Sequence, residues 1–402
     1  LRMPDLDGLD MMRELRALPA PPEVIMITAF GTIDNAIKAM KLGAADYVTK
    51  PFELEELTLS VDRALRDRSL RQEVDRLREE VKDRYRMGNI IGRSAAMREV
   101  FDMIRRVAPS PVSVLITGES GTGKELVARA LHFNSPRANM PFMPVNCAAI
   151  PDTLLESELF GYKRGAFTDA HRDRSGLLVE AGTGTLFLDE VAELPPQLQA
   201  KLLRVLQERE VRPLGSSTSV PLEARIISAT NRDLQEMRGR DAFREDLYYR
   251  LNVVQIDIPP LRERPEDILP LAGYLLDRAS KRAGCEPRRL EAEAAKALLA
   301  HHWPGNVREL ENVLERAVAL CQESVVMLGD LPPSLLEPRS GDVLAAAARR
   351  QMTLSEIERE YILHVLDEEE GNKTRTARRL GLDRKTLYRK LEEYRRRATH
   401  EA

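Results

Sequence analysis

The sequence has few residues that could form a disulfide framework or a metal cluster. Cys147, Cys285 and Cys321 are its only cysteines in 402 residues, and their wide separation favours a reducing compartment. The six histidines show no ligand spacing, because the adjacent His301 and His302 would point apart on a helix. These features argue against a secreted disulfide-rich protein and against a histidine-based metalloenzyme.

Long hydrophobic runs are also absent from the sequence. No apolar run approaches the roughly 20 residues that a membrane-spanning helix needs, and no signal peptide is recognisable. We therefore expect a cytoplasmic protein with no membrane partner. The net charge of −3 and the hydrophobic content of 43% are ordinary for a globular chain of about three domains. Because the sequence begins at Leu1 rather than Met, we expect it to be part of a longer chain.

A glycine-rich segment, GESGTGK, runs from Gly118 to Lys124. The β-branched run Val112 to Thr117 precedes it, and a segment of helical character, Glu125 to His132, follows it. A strand, a glycine turn and a helix N-terminus form a phosphate cradle of backbone N–H groups, to which a lysine adds charge. The alternative is a glycine-rich surface turn. The candidate phosphate-binding residues are Gly118, Glu119, Ser120, Gly121, Thr122, Gly123, Lys124 and Glu125.

An apolar run that ends in Asp189 and Glu190 is the second part of this pattern. It predicts a buried parallel strand with two carboxylates at its carboxyl end, where open α/β sheets bind ligands. Glu125 occupies the position where many phosphate-binding loops have a metal-binding hydroxyl. Mg²⁺ would therefore depend more on Asp189, on water and on the phosphates. Glu190 is the candidate for orienting or deprotonating the attacking water.

Three further polar residues are candidates for the same chemistry. Asn231 follows the predicted strand Arg225 to Thr230, where its amide could hold a water molecule; the alternative is a helix N-cap. Arg244 and Arg250 lie six residues apart, and arginine stabilises charge on a transferring phosphoryl group, often from a neighbouring subunit.

Five motifs together resemble one family. The sequence is similar to the NtrC-type AAA+ activators of sigma-54 RNA polymerase, the bacterial enhancer-binding proteins, in which glutamate commonly follows the loop lysine. The motifs are GESGTGKE at 118–125, GTLFLDE at 184–190, ATNRDL at 229–234, FREDLYYRLNV at 243–253 and WPGNVREL at 303–310.

The resemblance implies an ATPase that uses ATP and Mg²⁺ and works as a hexameric or heptameric ring. It implies that Lys124 binds the phosphates, Asp189 binds the metal and Glu190 polarises water. Asn146 would be the switch that holds Glu190, with Asn231 as the first sensor and Arg308 as the second. Arg244 and Arg250 would be the trans-acting arginines, and Ile91 and Gly92 would contact the adenine.

The segment ESELFGYKRGAFTDA, residues 156–170, places a phenylalanine beside glycine. Such a loop suggests a tip that contacts a partner, and the alternative is a hairpin with a buried Phe167. The family hallmark is GAFTGA, which engages sigma-54, and here Asp169 replaces its second glycine. The resemblance therefore implies sigma-54 contact through Gly165, Ala166, Phe167, Thr168, Asp169 and Ala170.

The C-terminal segment is strongly basic. Residues 371–402 contain eleven Lys and Arg but four Asp and Glu. Residues Ala377 to Leu382 suit a first helix that closes at a glycine turn, and we predict a second helix with Leu387, Leu391 and Tyr394 on its apolar face. This pattern indicates a DNA reader, and the alternative is a solvated basic helix. It resembles the Fis-like helix-turn-helix, which binds double-stranded enhancer DNA as a dimer; the candidate contacts are Arg384, Lys385, Thr386 and Arg389.

Residues 1–66 alternate strand and helix signals and resemble the C-terminal part of a response-regulator receiver domain. That resemblance implies a two-component regulator phosphorylated by a histidine kinase, with the acceptor aspartate before Leu1. The matching residues are Thr28 for the hydroxyl position, Tyr47 for the switch aromatic, and Lys50 followed by a cis Pro51.

The predicted fold class is α/β: an AAA+ P-loop ATPase domain with a helical lid, preceded by a partial receiver domain and followed by an all-α Fis-like helix-turn-helix. Leu70, Val74, Leu77 and Val81 have heptad spacing, which indicates a dimerising helix or one docked on its neighbour. The predicted boundaries are 1–66 for the receiver part, 67–88 for a helical linker, 89–260 for the α/β ATPase part, 261–336 for the lid, 337–352 for a second linker and 353–402 for the DNA-binding module.

The leading functional prediction is a sigma-54-dependent activator that couples ATP hydrolysis to remodelling of RNA polymerase. One alternative is a DNA-binding regulator that acts without sigma-54 contact or productive hydrolysis. Another is an AAA+ remodelling protein with a different target.

Overall fold

The computed structural model describes most of the chain in two compact units. The first comprises Leu1–Pro287 with His302–Glu315, and the second comprises Arg288–His301 with Arg316–Ala402. The described residues are 7–18, 21–28, 33–85, 90–167, 170–240, 242–321, 323–335, 353–369 and 372–400. The predicted linker over 337–352 therefore lies outside them.

The N-terminal part of the first unit contains two parallel strands and three helices. Ile25 pairs with Asp46 and Thr28 with Thr49, so both strands end at the same edge. A small apolar cluster that includes Met12, Met26 and Ala39 packs against them. The elements are α1 (Gly8–Arg16), β1 (Ile25–Thr28), α2 (Ile33–Lys41), β2 (Asp46–Thr49) and α3 (Leu54–Arg84).

Helix α3 continues for 31 residues without a break at the predicted boundary between residues 66 and 67. The heptad residues Leu70, Val74 and Leu77 are 59%, 44% and 46% exposed. These three side chains are therefore accessible to a partner, while the dimerising and the docked-helix interpretations of the seam both stay predictions.

The ATPase part is built on a five-stranded parallel sheet with helices on both faces. Its elements are α4 (Ala95–Val107), β3 (Val114–Thr117), α5 (Lys124–Phe133), β4 (Phe142–Asn146), α6 (Asp152–Phe160), β5 (Gly161–Tyr162), β6 (Arg174–Ser175), α7 (Leu177–Glu180), β7 (Thr185–Asp189), α8 (Pro196–Glu208), β8 (Glu210–Val211), β9 (Val220–Pro221), β10 (Arg225–Thr230), α9 (Leu234–Gly239), α10 (Glu245–Leu251) and β11 (Val254–Asp257).

The order of strands in this sheet is β11–β3–β10–β7–β4. Successive side chains of a strand point to opposite faces, and the core follows this rule. Ile226 packs in the cluster on one face, while Ile227 packs in the cluster on the other with α4 and α5. Because elements cover both faces of the sheet, all six residues of β10 are buried, and its burial does not alternate along the strand.

Beyond the sheet the chain is mainly helical, as the sequence predicts. Helix α11 begins at Pro265, which suits a first helical turn, and ends before Gly284 in the left-handed conformation. The elements are α11 (Pro265–Ala283), β12 (Arg289–Leu290), α12 (Ala292–Ala300), α13 (Asn306–Leu320) and β13 (Val325–Val326).

Three helices form the C-terminal module: α14 (Leu354–Glu368), α15 (Lys373–Arg379) and α16 (Arg384–His400). The prediction that the first helix of the motif closes at a glycine turn is confirmed, since α15 ends at Arg379 and Gly381 has a φ of 65°, but the helix begins before Ala377. The Asn372 side chain accepts the N–H groups of Thr374 and Arg375 and so fixes the start of the helix at Lys373.

All three cysteines are free thiols. Among the described residues, no helix is both long and apolar enough to cross a membrane.

Candidate ATPase site and contact surfaces

The candidate site lies at the carboxyl edge of the parallel sheet. Numbered along the chain, the five strands have the order 5-1-4-3-2, and β3 is flanked by β11 and β10. The chain leaves β3 toward one side and later returns to the other, so the crevice beside β3 is a topological switch point. The glycine-rich loop follows β3 at that crevice.

Three glycines of the loop adopt a positive φ: Gly118 at 152°, Gly121 at 79° and Gly123 at 104°. This left-handed backbone suits glycine and turns successive N–H groups toward one side. Lys124 begins α5, is only 7% exposed, and its Nζ donates to the Gly118 carbonyl over 3.0 Å. The loop thus fits a phosphate group, with a buried ammonium at the helix N-terminus.

Glu190 lies just beyond β7, so the prediction that the strand includes it is wrong by one residue. Its φ of 52° and ψ of 50° are left-handed, a sparsely populated conformation for glutamate that is typical of functional sites. Its Oε2 accepts the Asn231 N–H over 3.2 Å, and its Oε1 lies 3.7 Å from Lys124 Nζ. The structure therefore brings three of the predicted residues together.

Asp189 ends β7 and is paired in register with Asn146 at the end of β4. Burial, and then the charge of Glu190, raise the pKa of Asp189. The Asn146 Oδ1 accepts the N–H groups of Ala148 and Ala149 over 2.9 and 3.2 Å. In this conformation, Glu190 is thus held by Lys124 and Asn231, while the Asn146 oxygen is bonded to its own turn.

Asn231 has a different role from the N-cap alternative. Helix α9 is capped by Asp233, whose side chain accepts the N–H groups of Gln235 and Glu236. The N-cap alternative for Asn231 is therefore wrong, and its side chain is exposed at the strand end, beside Glu190.

The lid reaches the glycine-rich loop through the start of α13. Arg308 donates from Nη1 to the Ser120 Oγ over 3.0 Å. The N–H groups of Val307 and Arg308 both donate to the Gly121 carbonyl, over 3.0 and 3.3 Å. The predicted second sensor is therefore attached to the phosphate-binding loop itself.

Sequence reasoning missed two residues of this junction, Arg262 and Asn306. Arg262 forms a two-bond pair with the Glu119 carboxylate, with distances of 2.8 and 2.6 Å. Asn306 Nδ2 donates to the same carboxylate over 3.1 Å. The sequence signals available were the arginine that follows Pro260 and the asparagine within WPGNVREL.

The segment that contains Ile91 and Gly92 also contacts the lid. It leads into α4, whose N-cap is Ser94. The buried Asp267 of α11 accepts the Ser94 N–H over 2.9 Å and its Oγ–H over 2.7 Å. This pairing fixes the predicted adenine-contacting segment against α11.

Arg244 immediately precedes α10 and Arg250 lies in its last turn, and both residues are exposed. The Arg244 guanidinium pairs with Asp246 over 3.0 and 2.8 Å. Within the described part of the chain, no group of three or more His, Cys, Asp and Glu side chains is arranged to hold a metal ion. A metal at Asp189 would therefore need further ligands from phosphate and water.

The Gly165 loop projects from the paired strands β5 and β6. Gly165 has a φ of 83° and Ala170 is buried, whereas Phe167 is 43% exposed and its ring meets Tyr162 at 4.8 Å. The alternative of a hairpin with a buried phenylalanine is therefore wrong. Thr168 and Asp169 lie outside the described residues.

In the C-terminal module, Leu387 is fully buried and packs with Leu391 and Tyr394, so the predicted apolar face of α16 is observed. Lys390 is paired with Glu358 over 2.7 Å. Four candidate residues lie on the other faces, with Thr386 half-buried and the three cationic ones exposed: Arg384, Lys385, Thr386 and Arg389.

At the edge of the N-terminal pair of strands, Thr28 ends β1 and is buried, and the Lys50 N–H donates to its carbonyl over 2.7 Å. The Lys50–Pro51 peptide bond is cis, as predicted. The Tyr47 hydroxyl is buried without a hydrogen-bond partner among the described residues.

Four family models match consecutive parts of the chain. They are the response regulator receiver domain over residues 1–62, the sigma-54 interaction domain over 90–257, the AAA+ ATPase lid domain over 262–347 and the bacterial regulatory protein Fis family over 353–394.

Curated relatives match almost the whole chain. It is 46% identical over 399 residues to the regulatory protein AtoC of Escherichia coli strain K12, covering 98% of this chain and 87% of that protein. It is 45% identical to the transcriptional regulatory protein ZraR of Klebsiella oxytoca, covering 97% and 87%. It is 44% identical to the response regulator protein PilR of Pseudomonas aeruginosa, covering 95% and 84%.

Solved structures also match almost the whole chain. NtrX from Brucella abortus is 37% identical and covers 97% of this chain, with 86% of its own length matched and a TM-score of 0.65. NtrX has also been crystallised with ADP and with ATP, and these structures match with TM-scores of 0.63 and 0.62. The predicted fold class and nucleotide binding are thus confirmed. The chain belongs to the NtrC-type, sigma-54-dependent response regulators, which are ATP-hydrolysing transcriptional activators with a Fis-type DNA-binding domain.

Proposed function

We propose that this chain hydrolyses ATP at sites shared between neighbouring copies in a ring, and that hydrolysis moves the Gly165 loop against sigma-54. The observation that supports this most directly is the convergence of Lys124, Glu190 and Asn231 at the sheet edge. Arg244 and Arg250 are exposed on α10, as residues that serve a neighbouring subunit would be.

Within one site, Lys124 and the loop N–H groups bind the phosphates, and Glu190 orients and polarises the attacking water. Asp189 would hold Mg²⁺, which would supply charge neutralisation for the phosphates. Lys124 exchanges its contact with the Gly118 carbonyl for a phosphate oxygen, which releases its hold on Glu190. By its resemblance to the family, Asn146 is the switch that holds Glu190 until ATP is sensed, and Asn231 and Arg308 are the first and second sensors.

A mixing experiment tests whether the site is shared. Lys124→Ala and the double variant Arg244→Ala/Arg250→Ala are each expected to lose ATPase activity. In an equimolar mixture, Arg244 and Arg250 of a Lys124→Ala subunit can complete the site of a neighbouring subunit that carries the double substitution and an intact Lys124. A substantial fraction of the ATPase activity should therefore return. A mixture that stays as inactive as its components would contradict a shared site, provided that both variants co-assemble in sedimentation.

The Gly165 loop, residues 165–170, is proposed as the sigma-54 contact, with Phe167 and Thr168 as its contact residues by resemblance. Asp169, which replaces the second glycine of the family hallmark, allows fewer backbone conformations than glycine and adds a negative charge. The Phe167 side chain is still exposed. The alternative of a regulator without sigma-54 contact or productive hydrolysis is not favoured by the geometry of the loop and the site.

For DNA binding, we expect Arg389→Ala to weaken binding to enhancer fragments by roughly tenfold. If Arg389 contacts phosphate, the slope of log K against log salt should fall by about one. Lys390→Ala is the matched control, because Lys390 is already paired with Glu358. Affinity measured by fluorescence anisotropy over a salt series checks this, and equal losses in both variants would contradict the assignment of Arg389.

We also propose the domain boundaries 1–66, 67–88, 89–260, 261–336, 337–352 and 353–402. The exposed heptad residues of α3 support a dimer that precedes a hexameric or heptameric ring. Thr28, Tyr47 and Lys50 suit phosphorylation control by a histidine kinase. The proposed DNA target supports a cytoplasmic location.

A further inference from the structure

A carboxylate within a phosphate-binding loop is electrostatically unfavourable for phosphate unless its charge is compensated. Glu119 is the second residue of this loop, and its side chain turns toward the lid. Both carboxylate oxygens accept hydrogen bonds from Arg262, which holds the pKa of Glu119 below its ordinary value. The loop therefore carries a built-in ionic connection to the segment that precedes α11.

Asn306 adds a second connection at the same carboxylate. It is fully buried, and its φ of 52° is left-handed, which asparagine tolerates better than most residues. Its Oδ1 accepts the Leu261 N–H over 2.7 Å, and its Nδ2 donates to Glu119 Oε2 over 3.1 Å and to the Ser120 carbonyl over 3.0 Å. One amide thus joins the loop to the residue next to Arg262.

The backbones of the phosphate-binding loop and the lid approach each other closely at this junction. A Cβ on Gly121 would lie 2.3 Å from the Gly305 carbonyl oxygen, so the loop and the lid are in direct backbone contact. The Gly121 carbonyl accepts the N–H groups of the first turn of α13, which carries Arg308. A displacement of the loop must therefore displace Arg308 as well.

We propose that Glu119, Arg262 and Asn306 form a clasp that holds the lid on the phosphate-binding loop, and that Glu119 is a positioning residue for Arg308. Through the clasp, a displacement of the phosphate-binding loop displaces the lid. The clasp also slows nucleotide release. This inference rests on the proposed ATPase site but assigns Glu119 a role other than phosphate binding.

A double-mutant cycle tests the clasp. Glu119→Gln and Arg262→Gln are each expected to speed dissociation of a fluorescent ADP analogue by about tenfold, measured by stopped flow. Because both changes remove the same ion pair, the double variant should release ADP no faster than either single variant. The kcat for ATP should fall several-fold in all three, because Arg308 loses its fixed position. Glu263→Gln is the matched control, since Glu263 lies 4.0 Å from Arg262 on the exposed side and should leave both quantities unchanged.

The clasp would be overturned if Glu119→Gln released ADP at the wild-type rate. It would also be overturned if the rate increases of the two single variants multiplied in the double variant. A loss of thermal stability shared by the variants with no change in ADP release would likewise overturn it, since a purely structural role predicts that result. ADP dissociation needs no hydrolysis. A wild-type chain that binds ADP but does not hydrolyse ATP would therefore reject the proposed ATPase mechanism while leaving the clasp testable.

Discussion

Glu190→Gln is expected to lower kcat for ATP hydrolysis by about 10²- to 10⁴-fold, the usual contribution of a positioned general base. The amide keeps the size of the side chain and can still accept the Asn231 N–H, but it cannot take a proton from water. The left-handed backbone at Glu190 directs the carboxylate toward Lys124, and both features survive the substitution. ATP affinity should therefore be unchanged or higher, because one negative charge near the phosphates is removed.

Glu193→Gln is the matched control for this variant. Glu193 lies three residues further along, is 33% exposed and pairs with Arg232 over 2.6 Å, on the exposed side of the same turn. Its replacement should leave kcat within about twofold of the wild type. Steady-state kinetics with equilibrium ATP binding separate the outcomes, and a Glu190→Gln protein that retains most of its kcat would remove Glu190 from the mechanism.

Phe167→Ala is expected to reduce sigma-54-dependent transcription by at least tenfold while ATP hydrolysis continues at nearly the wild-type rate. The ring of Phe167 is 43% exposed, and it contacts the Tyr162 ring rather than packing in a core. Its loss removes apolar contact surface for a partner without opening a cavity. The loop lies apart from Lys124 and Glu190 in the sequence, and its described residues, 165–167 and 170, contribute no group to the hydrogen bonds and the ion pair of these two side chains.

Leu299→Ala controls for a general effect of losing an exposed apolar side chain, because Leu299 is also 43% exposed but lies on α12. It should transcribe normally. The two readouts are transcript yield from a sigma-54 promoter and phosphate release. If Phe167→Ala activates transcription as well as Leu299→Ala does, the loop is not the sigma-54 contact.

The sequence predicted the parallel sheet and the placement of Lys124, Glu190 and Asn231, because local signals specify them. Apolar runs identify the strands, and parallel strands bring their carboxyl ends to one edge. The left-handed conformation of Glu190 could not be predicted, because glutamate has no intrinsic preference for it and the surrounding fold imposes it.

The contacts of Arg262 and Asn306 with Glu119 were not predictable for a different reason. They join residues 143 and 187 positions apart in the chain, and no local pattern marks which of many surface arginines pairs with the loop. The start of α15 was misplaced because a single Asn372 cap outweighed the apolar pattern that follows it. The exposure of Leu70 could not be predicted either, because it depends on the path of α3 past its neighbours, and heptad spacing does not specify that path.

Open-complex formation at a sigma-54 promoter tests the central claim most directly. The wild-type chain, sigma-54 RNA polymerase and a DNA template would be combined with ATP or with a non-hydrolysable ATP analogue, and melted bases detected by permanganate reactivity. Promoter melting by the wild-type protein is expected with ATP and not with the analogue. Glu190→Gln is expected to melt no promoter with ATP. Promoter melting by the wild-type protein with the analogue, or by Glu190→Gln with ATP, would contradict the claim that hydrolysis at this site drives remodelling of the polymerase.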